Sequence, residues 1–303
     1  MLNEFKSLMT LLQSYLTWIL NISSGRMAAC ILFLFFALFV ILEFCCPREQ
    51  RLSERLRQSY RVNIELFAFN NIVMSLLSMP SLLILSEQYS DKGLLNYISN
   101  PLGKAVLAFL AWDLLLYIWH KASHSFDCLW MFHKVHHNDP YLNVSTAFRA
   151  HFLEILIINF MKAMLIVVLG IQEALVLVNE TIITLFTMLH HANILFRGER
   201  LLGRVVITPY LHRVHHSVKR QEHDRNYGSV LSLWDRLFGT LTELKPTEIG
   251  IKGCAQQDLV GLVKCGFTMT DRPPAQSNRD VLVPGAAKAR FLPWRLSAKN
   301  DID

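Results

Sequence analysis

Long apolar runs recur through the first two-thirds of the chain and predict helices that cross a membrane. The longest runs cover residues 27–44, 64–85, 102–119, 152–171 and 174–189. Each approaches the roughly 20 residues that a helix needs to cross about 30 Å of hydrocarbon. A turn around Gln172 separates the last two runs and predicts a helical hairpin, whereas the shorter, more polar run 8–20 predicts an interfacial helix or a partial span.

The composition agrees with a membrane protein. Hydrophobic residues make up 52% of the 303 residues and charged residues only 18%, which argues against a water-soluble globular protein. No Pro/Gly/Ser-rich linker separates the apolar runs. We therefore predict an all-α, multi-span fold with about four to six membrane helices. Its predicted parts are an interfacial or partial-span segment, 1–26, a membrane domain, 27–242, and a polar tail, 243–303.

Basic residues predict the orientation in the membrane. Five arginines follow the first long run: Arg48, Arg51, Arg55, Arg57 and Arg61. The loop after the second run offers only Lys92, so the arginine-rich loop is expected on the cytoplasmic side. Counting spans from there brings all twelve histidines, between His120 and His223, to the same side. A cytoplasmic helical cap that holds the histidines is the resulting expectation.

The net charge of +6 does not indicate nucleic-acid binding, because the basic residues flank apolar runs and attraction to lipid headgroups explains them. The six cysteines form no CxxC pair and predict neither a zinc knuckle nor a disulfide framework.

Three histidine motifs and one histidine pair carry the candidate chemistry. HKASH contains His120 and His124, HKVHH contains His133, His136 and His137, HRVHH contains His212, His215 and His216, and HHAN contains His190 and His191. Spacings of three and four residues place imidazoles on one face of a helix. The eight histidines of the three motifs, with one from the pair, exceed what a single ion accepts and indicate two metal ions. Imidazole suits iron, zinc or copper, while the absence of thiolates and of HExxH argues against an iron–sulfur cluster and a zinc protease.

These motifs resemble those of the fatty acid hydroxylase superfamily, also called the sterol desaturase family, whose members bind two irons through HxxxH, HxxHH and HxxHH. The resemblance covers about residues 112–241 and includes WDLLLYIWHKASH, NVSTAFRAHFLE, TPYLHRVHHSV and NYGSVLSLWDRLFGT. Within this pattern His191 matches as the ninth ligand and His190 is a neighbour. His151 matches only some branches of the family and is left out of the ligand set, and His223 is expected at the surface.

The resemblance implies a dioxygen-dependent monooxygenase-type oxidoreductase with two iron ions and no catalytic residue apart from the metal ligands. A sterol, fatty acyl chain or alkylglycerol would enter from the bilayer and be hydroxylated or desaturated. Electrons would come from a separate cytochrome, ferredoxin or reduced pterin, because the sequence contains no flavin or dinucleotide fingerprint. The bacterial inner membrane and the endoplasmic reticulum both fit the predicted topology.

Three polar residues are candidates for holding the ligands in place. Asp113 lies seven residues before His120, and Glu180 lies eleven residues before His191, each on the same helical face as the histidine. A carboxylate often accepts a hydrogen bond from a metal-bound histidine, although Glu180 can equally line a polar cavity. Asn226 lies in the C-terminal signature, where it either holds a ligand or caps a helix.

Other functions remain possible interpretations of so many histidines. A divalent-metal transporter would place its ligands near the membrane midplane, and a membrane b-type cytochrome would pair histidines in the middle of facing spans. A zinc-dependent lipid hydrolase is harder to separate, because histidine ligands alone do not identify the metal.

Overall fold

The computed structural model describes residues 24–50, 52–77, 81–251 and 257–269, and the statements below concern these residues. Most of the predicted N-terminal segment, residues 1–23, and the end of the predicted tail, residues 270–303, lie outside them. Within the described residues the fold is helical and contains no β-strand, which confirms the predicted all-α class.

Twelve α-helices are present in the described part of the chain. In chain order they are α1 Ser24–Cys45, α2 Ser53–Leu76, α3 Leu82–Tyr89, α4 Pro101–Ser125, α5 Asp127–His137, α6 Phe152–Leu169, α7 Glu173–His191, α8 Glu199–Leu202, α9 Pro209–His215, α10 Arg220–His223, α11 Leu233–Leu237 and α12 Leu259–Cys265. Two short 3₁₀ segments, Leu94–Tyr97 and Val144–Phe148, connect α3 to α4 and α5 to α6.

Four of these helices, α1, α4, α6 and α7, are long and apolar enough to cross a membrane. Large apolar side chains such as Phe33 and Phe160 are exposed on them, which suits a surface in contact with lipid. This number agrees with the predicted four to six membrane helices.

The apolar run 64–85 does not form one helix, contrary to the prediction. α2 ends at Leu76 and α3 begins at Leu82, where the hydroxyl of Ser81 accepts a hydrogen bond from the Leu83 N–H and caps the new helix. Pro80 lies between the two helices in the sequence and cannot donate the N–H that a continuous helix requires. The side of the membrane that each helix end faces therefore stays a prediction.

The predicted hairpin of α6 and α7 is present and is tightly closed. Gly170 ends α6 in the left-handed region at φ 67°, and α7 begins three residues later. A Cβ atom on Gly93 would lie only 1.9 Å from the Gly170 amide nitrogen. Gly170 is therefore required for its backbone conformation, and Gly93 is required for the close approach of the two backbone segments.

Buried apolar side chains join α4 to this hairpin. Trp112 and Leu116 of α4 pack with Ile166 of α6 and with Val176 and Ile183 of α7. This packing fixes the relative positions of the two helix ends that carry His120, His124 and His191.

A buried glutamate attaches the end of α1 to two loops beside those ends. Glu43 Oε1 accepts hydrogen bonds from the N–H groups of Val144 and Asn193, both at 2.7 Å, and Glu43 Oε2 accepts one from the Tyr60 hydroxyl. Asn193 lies two residues after His191, the last residue of α7, so Glu43 holds the chain where it leaves α7.

Part of the predicted tail belongs to the packed structure. Leu262 and Cys265 of α12 lie in an apolar cluster with Leu66 of α2 and Val135 of α5. Because Val135 lies between His133 and His136, this contact supports the helix that carries HKVHH. The predicted domain boundary between residues 242 and 243 itself stays a prediction.

Candidate metal centre

All nine histidines that the sequence proposes as ligands come together in two groups. The first group contains His120, His124, His133, His137 and His215, and the second contains His136, His191, His212 and His216. Within each group, one ring nitrogen from every histidine lies within 4.8 Å of the others. Two adjacent groups, rather than one large cluster, are what two metal ions require.

Each HxxHH motif contributes to both groups. In α5 the first and last histidines, His133 and His137, belong to the five-histidine group, whereas His136 belongs to the four-histidine group. In α9 and the residue after it the assignment is reversed: His212 and His216 join the four-histidine group and His215 the five-histidine group. Positions i and i+4 point the same way on a helix while i+3 is displaced, so this spacing serves two neighbouring ions.

The distances between ring nitrogens suit ligands of a shared ion. In the five-histidine group, His137 Nε2 lies 3.1 Å from His124 Nε2 and 3.2 Å from His133 Nε2. The four-histidine group has Nε2 to Nε2 distances of 3.0 Å for His191 with His136, 3.0 Å for His212 with His191 and 3.1 Å for His216 with His212. Two nitrogens bound to one ion at about 2.1 Å and at a right angle lie about 3.0 Å apart.

Backbone carbonyl groups orient several of the rings. The Nδ1–H of His120 donates to the Tyr227 carbonyl oxygen (2.8 Å), and that of His136 to the Arg149 carbonyl oxygen (3.0 Å). The Nδ1–H of His191 donates to the Thr187 carbonyl oxygen (2.7 Å), and that of His215 to the Arg225 carbonyl oxygen (2.7 Å). A proton on Nδ1 leaves Nε2 with a free lone pair directed into the histidine groups.

Two buried nitrogen atoms test whether a metal fits. The Nε2 atoms of His120 and His215 are buried and have no hydrogen-bond partner among the described residues. A buried polar atom without a partner is costly, and coordination to a cation removes that cost. The histidine set therefore fits two divalent transition-metal ions.

The protonation state of the rings also suits metal binding. Burial, followed by the nearby histidines, lowers the pKa of His137, His212 and His216 well below the ordinary histidine value. The same causes lower the pKa of His136 and His215. These rings are neutral at pH 7, and neutral imidazole is the form that binds a metal.

Two carboxylates that the sequence did not single out complete the support of the ligands. Glu154 Oε1 accepts a hydrogen bond of 2.6 Å from His133 Nδ1, and both side chains are buried. Asp224 Oδ1 lies 3.2 Å from His124 Nδ1. The sequence contained a signal for Glu154, because an acidic residue in the first turn of an apolar span is costly unless it has a partner.

Replacing Glu154 by glutamine is expected to lower metal affinity and product formation about 10- to 100-fold, because His133 loses a charged acceptor. Metal per chain and the rate of product formation measure the effect. Glu173→Gln is the matched control, since Glu173 is an exposed acid in the first turn of α7. Equal metal content in both variants would show that the Glu154 carboxylate does not support the ligand.

Asp113, proposed to orient a ligand, bonds elsewhere in the described structure. Its carboxylate accepts hydrogen bonds from the N–H groups of Val230 (3.0 Å) and Leu231 (3.1 Å) and from the indole N–H of Trp234 (2.9 Å). Asp113 thus ties α4 to the C-terminal segment and does not bond to a histidine. That segment includes Tyr227, whose carbonyl orients His120, so the effect of Asp113 on the ligands is indirect.

Asn226, another candidate, joins the ligand-bearing helix α9 to the segment that contains Thr242. Its side-chain amide donates to the carbonyl oxygens of Leu211 and Thr242, both at 2.8 Å, and its Oδ1 accepts from the Thr242 N–H at 2.7 Å. Asn226 has a φ of 55°, in the left-handed region, which asparagine tolerates better than most residues. The residue positions the backbone next to His212 and does not cap a helix.

Glu180, the third candidate, forms an ion pair with Lys162 inside a cavity and does not bond to a histidine among the described residues. The alternative that it lines a polar cavity agrees with this position.

The remaining histidines lie outside the two groups. His190 is buried with its ring centroid 4.0 Å from that of His212, as expected of a neighbour. The Nδ1 atom of His151 accepts a hydrogen bond from the Leu153 N–H and caps α6. The expectation that His223 is a surface residue is wrong: it is buried and stacks on Trp130 at 5.3 Å, because α10 folds back over α5.

A buried polar network supports the end of α5. Arg149 is fully buried, and its guanidinium donates to the carbonyl oxygens of Val135 (3.0 Å) and Asn138 (2.7 Å) and to Asn63 Oδ1 (3.0 Å). The Arg149 carbonyl also accepts the hydrogen bond from His136. One residue thus holds both the helix end and a ligand that the helix carries.

Asp139 is the anion of this network. It accepts hydrogen bonds from the side chains of Ser59, Asn63 and Thr146. Burial alone would raise the pKa of Asp139, but Arg149 and these hydrogen bonds outweigh it and lower the pKa below the usual value. Asp139 is therefore ionised in the folded protein.

A cavity of about 480 Å³ reaches the histidine groups from among the long helices. His120, His133, His136, His191 and His212 form one part of its wall. Apolar side chains, including Phe67, Leu116, Phe148, Ile155 and Ile183, form much of the rest. A cavity of this size suits a ligand as large as a lipid chain.

Known proteins share the part of the chain that carries this centre. Residues 105–240 match the family model described as fatty acid hydroxylase. Ornithine lipid hydroxylase OlsE of Rhizobium tropici is 32% identical over 153 residues, which cover 50% of this chain and 46% of the relative. The alkylglycerol monooxygenases of Danio rerio and Homo sapiens are 34% and 32% identical over 134 and 133 residues, each covering 44% of this chain and 29% of the relative.

The matches thus span less than half the length of each of these relatives. No solved structure was found to match the chain. The region matched by the family model, 105–240, contains all nine histidines of the two groups. The predicted resemblance is confirmed over residues 105–240, which match the fatty acid hydroxylase family model and are similar to lipid hydroxylases and monooxygenases.

Proposed function

We propose that the protein is a membrane-bound, dioxygen-dependent di-iron oxidoreductase that hydroxylates or desaturates a lipid. The observation that carries the proposal is the position of the two histidine groups at the wall of a largely apolar cavity among membrane-type helices. A metal centre that faces such a cavity suits a substrate that partitions into lipid.

Two iron ions, when bound by the five- and four-histidine groups, supply the activation of dioxygen and the oxidising power for an unactivated C–H bond. The chain's own residues keep the imidazoles neutral and fix their orientation through carbonyl and carboxylate acceptors. The apolar wall excludes water and holds the hydrocarbon part of the substrate against the histidines.

The substrate is a lipid such as a sterol, a fatty acyl chain or an alkylglycerol, and it enters from the bilayer. Two kinds of relative are named for lipids of different classes, ornithine lipid and alkylglycerol, which supports lipid oxidation without selecting one substrate. The metal centre lies on the cytoplasmic side of a bacterial inner membrane or of the endoplasmic reticulum. The arginines that follow α1 in the sequence, between residues 48 and 61, support this orientation.

Electrons come from a separate donor, a cytochrome, a ferredoxin or a reduced pterin. The basic segments 197–204 and 219–225 offer a docking surface for an acidic donor protein and equally a surface for anionic headgroups. The two segments flank α9, which carries His212 and His215, in the chain.

The transporter alternative agrees less well with the site. His120 and His124 lie at the C-terminal end of α4, and His191 is the last residue of α7, so the ligands lie at helix ends rather than near mid-span.

Metal analysis and oxygen dependence test the proposal against a zinc lipid hydrolase. We expect purified protein to contain about two irons per chain, and its lipid product to contain oxygen from isotope-labelled dioxygen when the reaction is a hydroxylation. Lipid profiling with and without dioxygen identifies hydroxylated or desaturated products. Zinc in the protein, together with product formed without dioxygen, would establish the hydrolase instead.

A further inference from the structure

An ion pair lies in the wall of the same cavity, within the two helices of the hairpin. Lys162 Nζ of α6 is 2.6 Å from Glu180 Oε1 of α7. Both residues line the cavity, and the side chain of Lys162 is 10% exposed and that of Glu180 35% exposed. The pair therefore retains an open side that faces the cavity.

The pair is remote from the histidine groups. Glu180 lies eleven residues before His191, or about 16 Å along α7 at 1.5 Å per residue. Lys162 lies eight residues after Glu154, the partner of His133, or about 12 Å along α6. Both helices thus place the pair about 12 to 16 Å from the metal centre.

Charged groups at this depth are difficult to explain by stability alone. Ionisable side chains within membrane helices are costly, and a buried ion pair is often no more stabilising than apolar residues of similar size. Asn159 and Thr184 lie one turn from Lys162 and Glu180 and also line the cavity. The four side chains form a polar patch in an otherwise largely apolar wall.

Contacts on the cavity wall keep this patch in place. Lys162 Nζ lies 5.9 Å from the centre of the Trp112 ring, and Trp112 is fully buried in the core of α4, α6 and α7. A cation over an aromatic ring is favourable, so the ammonium group has two fixed neighbours. A ligand can approach it from the cavity.

We propose that Lys162 and Glu180 bind the hydroxyl group at the remote end of a long lipid whose oxidised carbon lies at the histidine groups. This inference rests on the proposed function and specifies the class of substrate: a lipid alcohol long enough to extend about 12 to 16 Å.

A neutral hydroxyl fits the patch better than a charged group. The Lys162 ammonium has three donors and Glu180 two acceptor oxygens, so a hydroxyl accepts from one residue and donates to the other. A charged group would leave the site with an unbalanced charge in a medium of low polarity, which is costly. Binding at this patch fixes the position of the chain and thereby selects the carbon that reaches the metal centre.

Competitive binding of two probes tests the inference. The purified full chain, in detergent micelles without dioxygen, is equilibrated with equal amounts of hexadecan-1-ol and hexadecane. Mass spectrometry then measures the alcohol-to-alkane ratio bound to the protein relative to empty micelles. We expect the wild type to prefer the alcohol about tenfold or more. The double variant Lys162→Met with Glu180→Met is expected to show no preference.

The double variant leaves no unpaired buried charge and is expected to fold, with unchanged metal content. Thr184→Phe fills the patch with a bulky side chain and leaves the ion pair unaltered. This variant should also lose the preference for the alcohol. If the double variant does not fold, the result for Thr184→Phe alone tests the inference. Arg61→Gln with Glu65→Gln removes an exposed ion pair of α2 and should retain the preference.

An equal ratio for the two probes in the wild type, or a preference that survives both cavity variants, would overturn the inference. Because binding is measured without dioxygen, a failure of the proposed oxygenase activity would appear separately, as a missing product with an intact alcohol preference.

Discussion

Replacing His136 by alanine is expected to lower the metal content from about two ions per chain to about one and to reduce product formation at least 100-fold. His136 belongs to the four-histidine group, whose remaining members would be His191, His212 and His216. Three ligands hold an ion less firmly than four, and the ring that joins α5 to α7 is lost. Metal analysis of the purified variant and a single-turnover assay with dioxygen measure the two effects.

His151→Asn is the matched control for His136→Ala. His151 is a buried histidine of the same region, but it caps α6 and belongs to neither group, and asparagine retains a cap acceptor. Its metal content should equal that of the wild type. A His136→Ala protein that keeps two ions per chain would show that His136 is not a ligand, whatever its activity.

Local spacing was sufficient to predict eight of the nine grouped histidines, and the family resemblance supplied the ninth, His191. HxxxH and HxxHH place imidazoles on one side of a helix whatever the rest of the fold does, and all nine proposed residues meet in the structure. The division into groups of five and four was not predictable. It depends on how α5 and α9 face each other, which places His137 beside His215 and His136 beside His216.

The partners of the acidic residues show where the sequence was not sufficient. Asp113 lies on the predicted face of α4, yet it binds Val230, Leu231 and Trp234, more than one hundred residues later in the chain. Helical periodicity gives the direction of a side chain but not the segment that packs against it. Glu154 acquires its role from α5 for the same reason, through the turn between α5 and α6.

The membrane helices were predicted where apolar length alone decides the structure. The runs 27–44, 102–119, 152–171 and 174–189 correspond to α1, α4, α6 and α7. The run 64–85 was wrongly predicted to be one helix, because hydropathy does not show where one helix ends and another begins. Ser59 and Asn63, which α2 contributes to the Asp139 network, precede this run and were not predicted.

Arg149→Met is expected to lower the free energy of unfolding by about 3 to 5 kcal/mol, because it removes the buried positive charge that favours the ionised form of the buried Asp139. The substitution also removes the donors to Val135 and Asn138 at the end of α5. The carbonyl of residue 149 remains, so any loss of metal would reflect displacement of the backbone that orients His136. Denaturant unfolding in micelles and metal analysis of the same samples separate the two effects.

The pH dependence distinguishes a charge effect from simple loss of packing. A carboxylate whose pKa is lowered in the folded state stabilises the protein above its unfolded pKa, and this stability is lost as pH falls through the folded pKa. Without Arg149 the folded pKa of Asp139 rises, so acid unfolding of Arg149→Met should begin at a higher pH than that of the wild type. Arg55→Met, which removes an exposed arginine bonded to Tyr141, should leave the acid transition unchanged. An Arg149→Met transition at the wild-type pH would mean that Arg149 supports the site through packing alone.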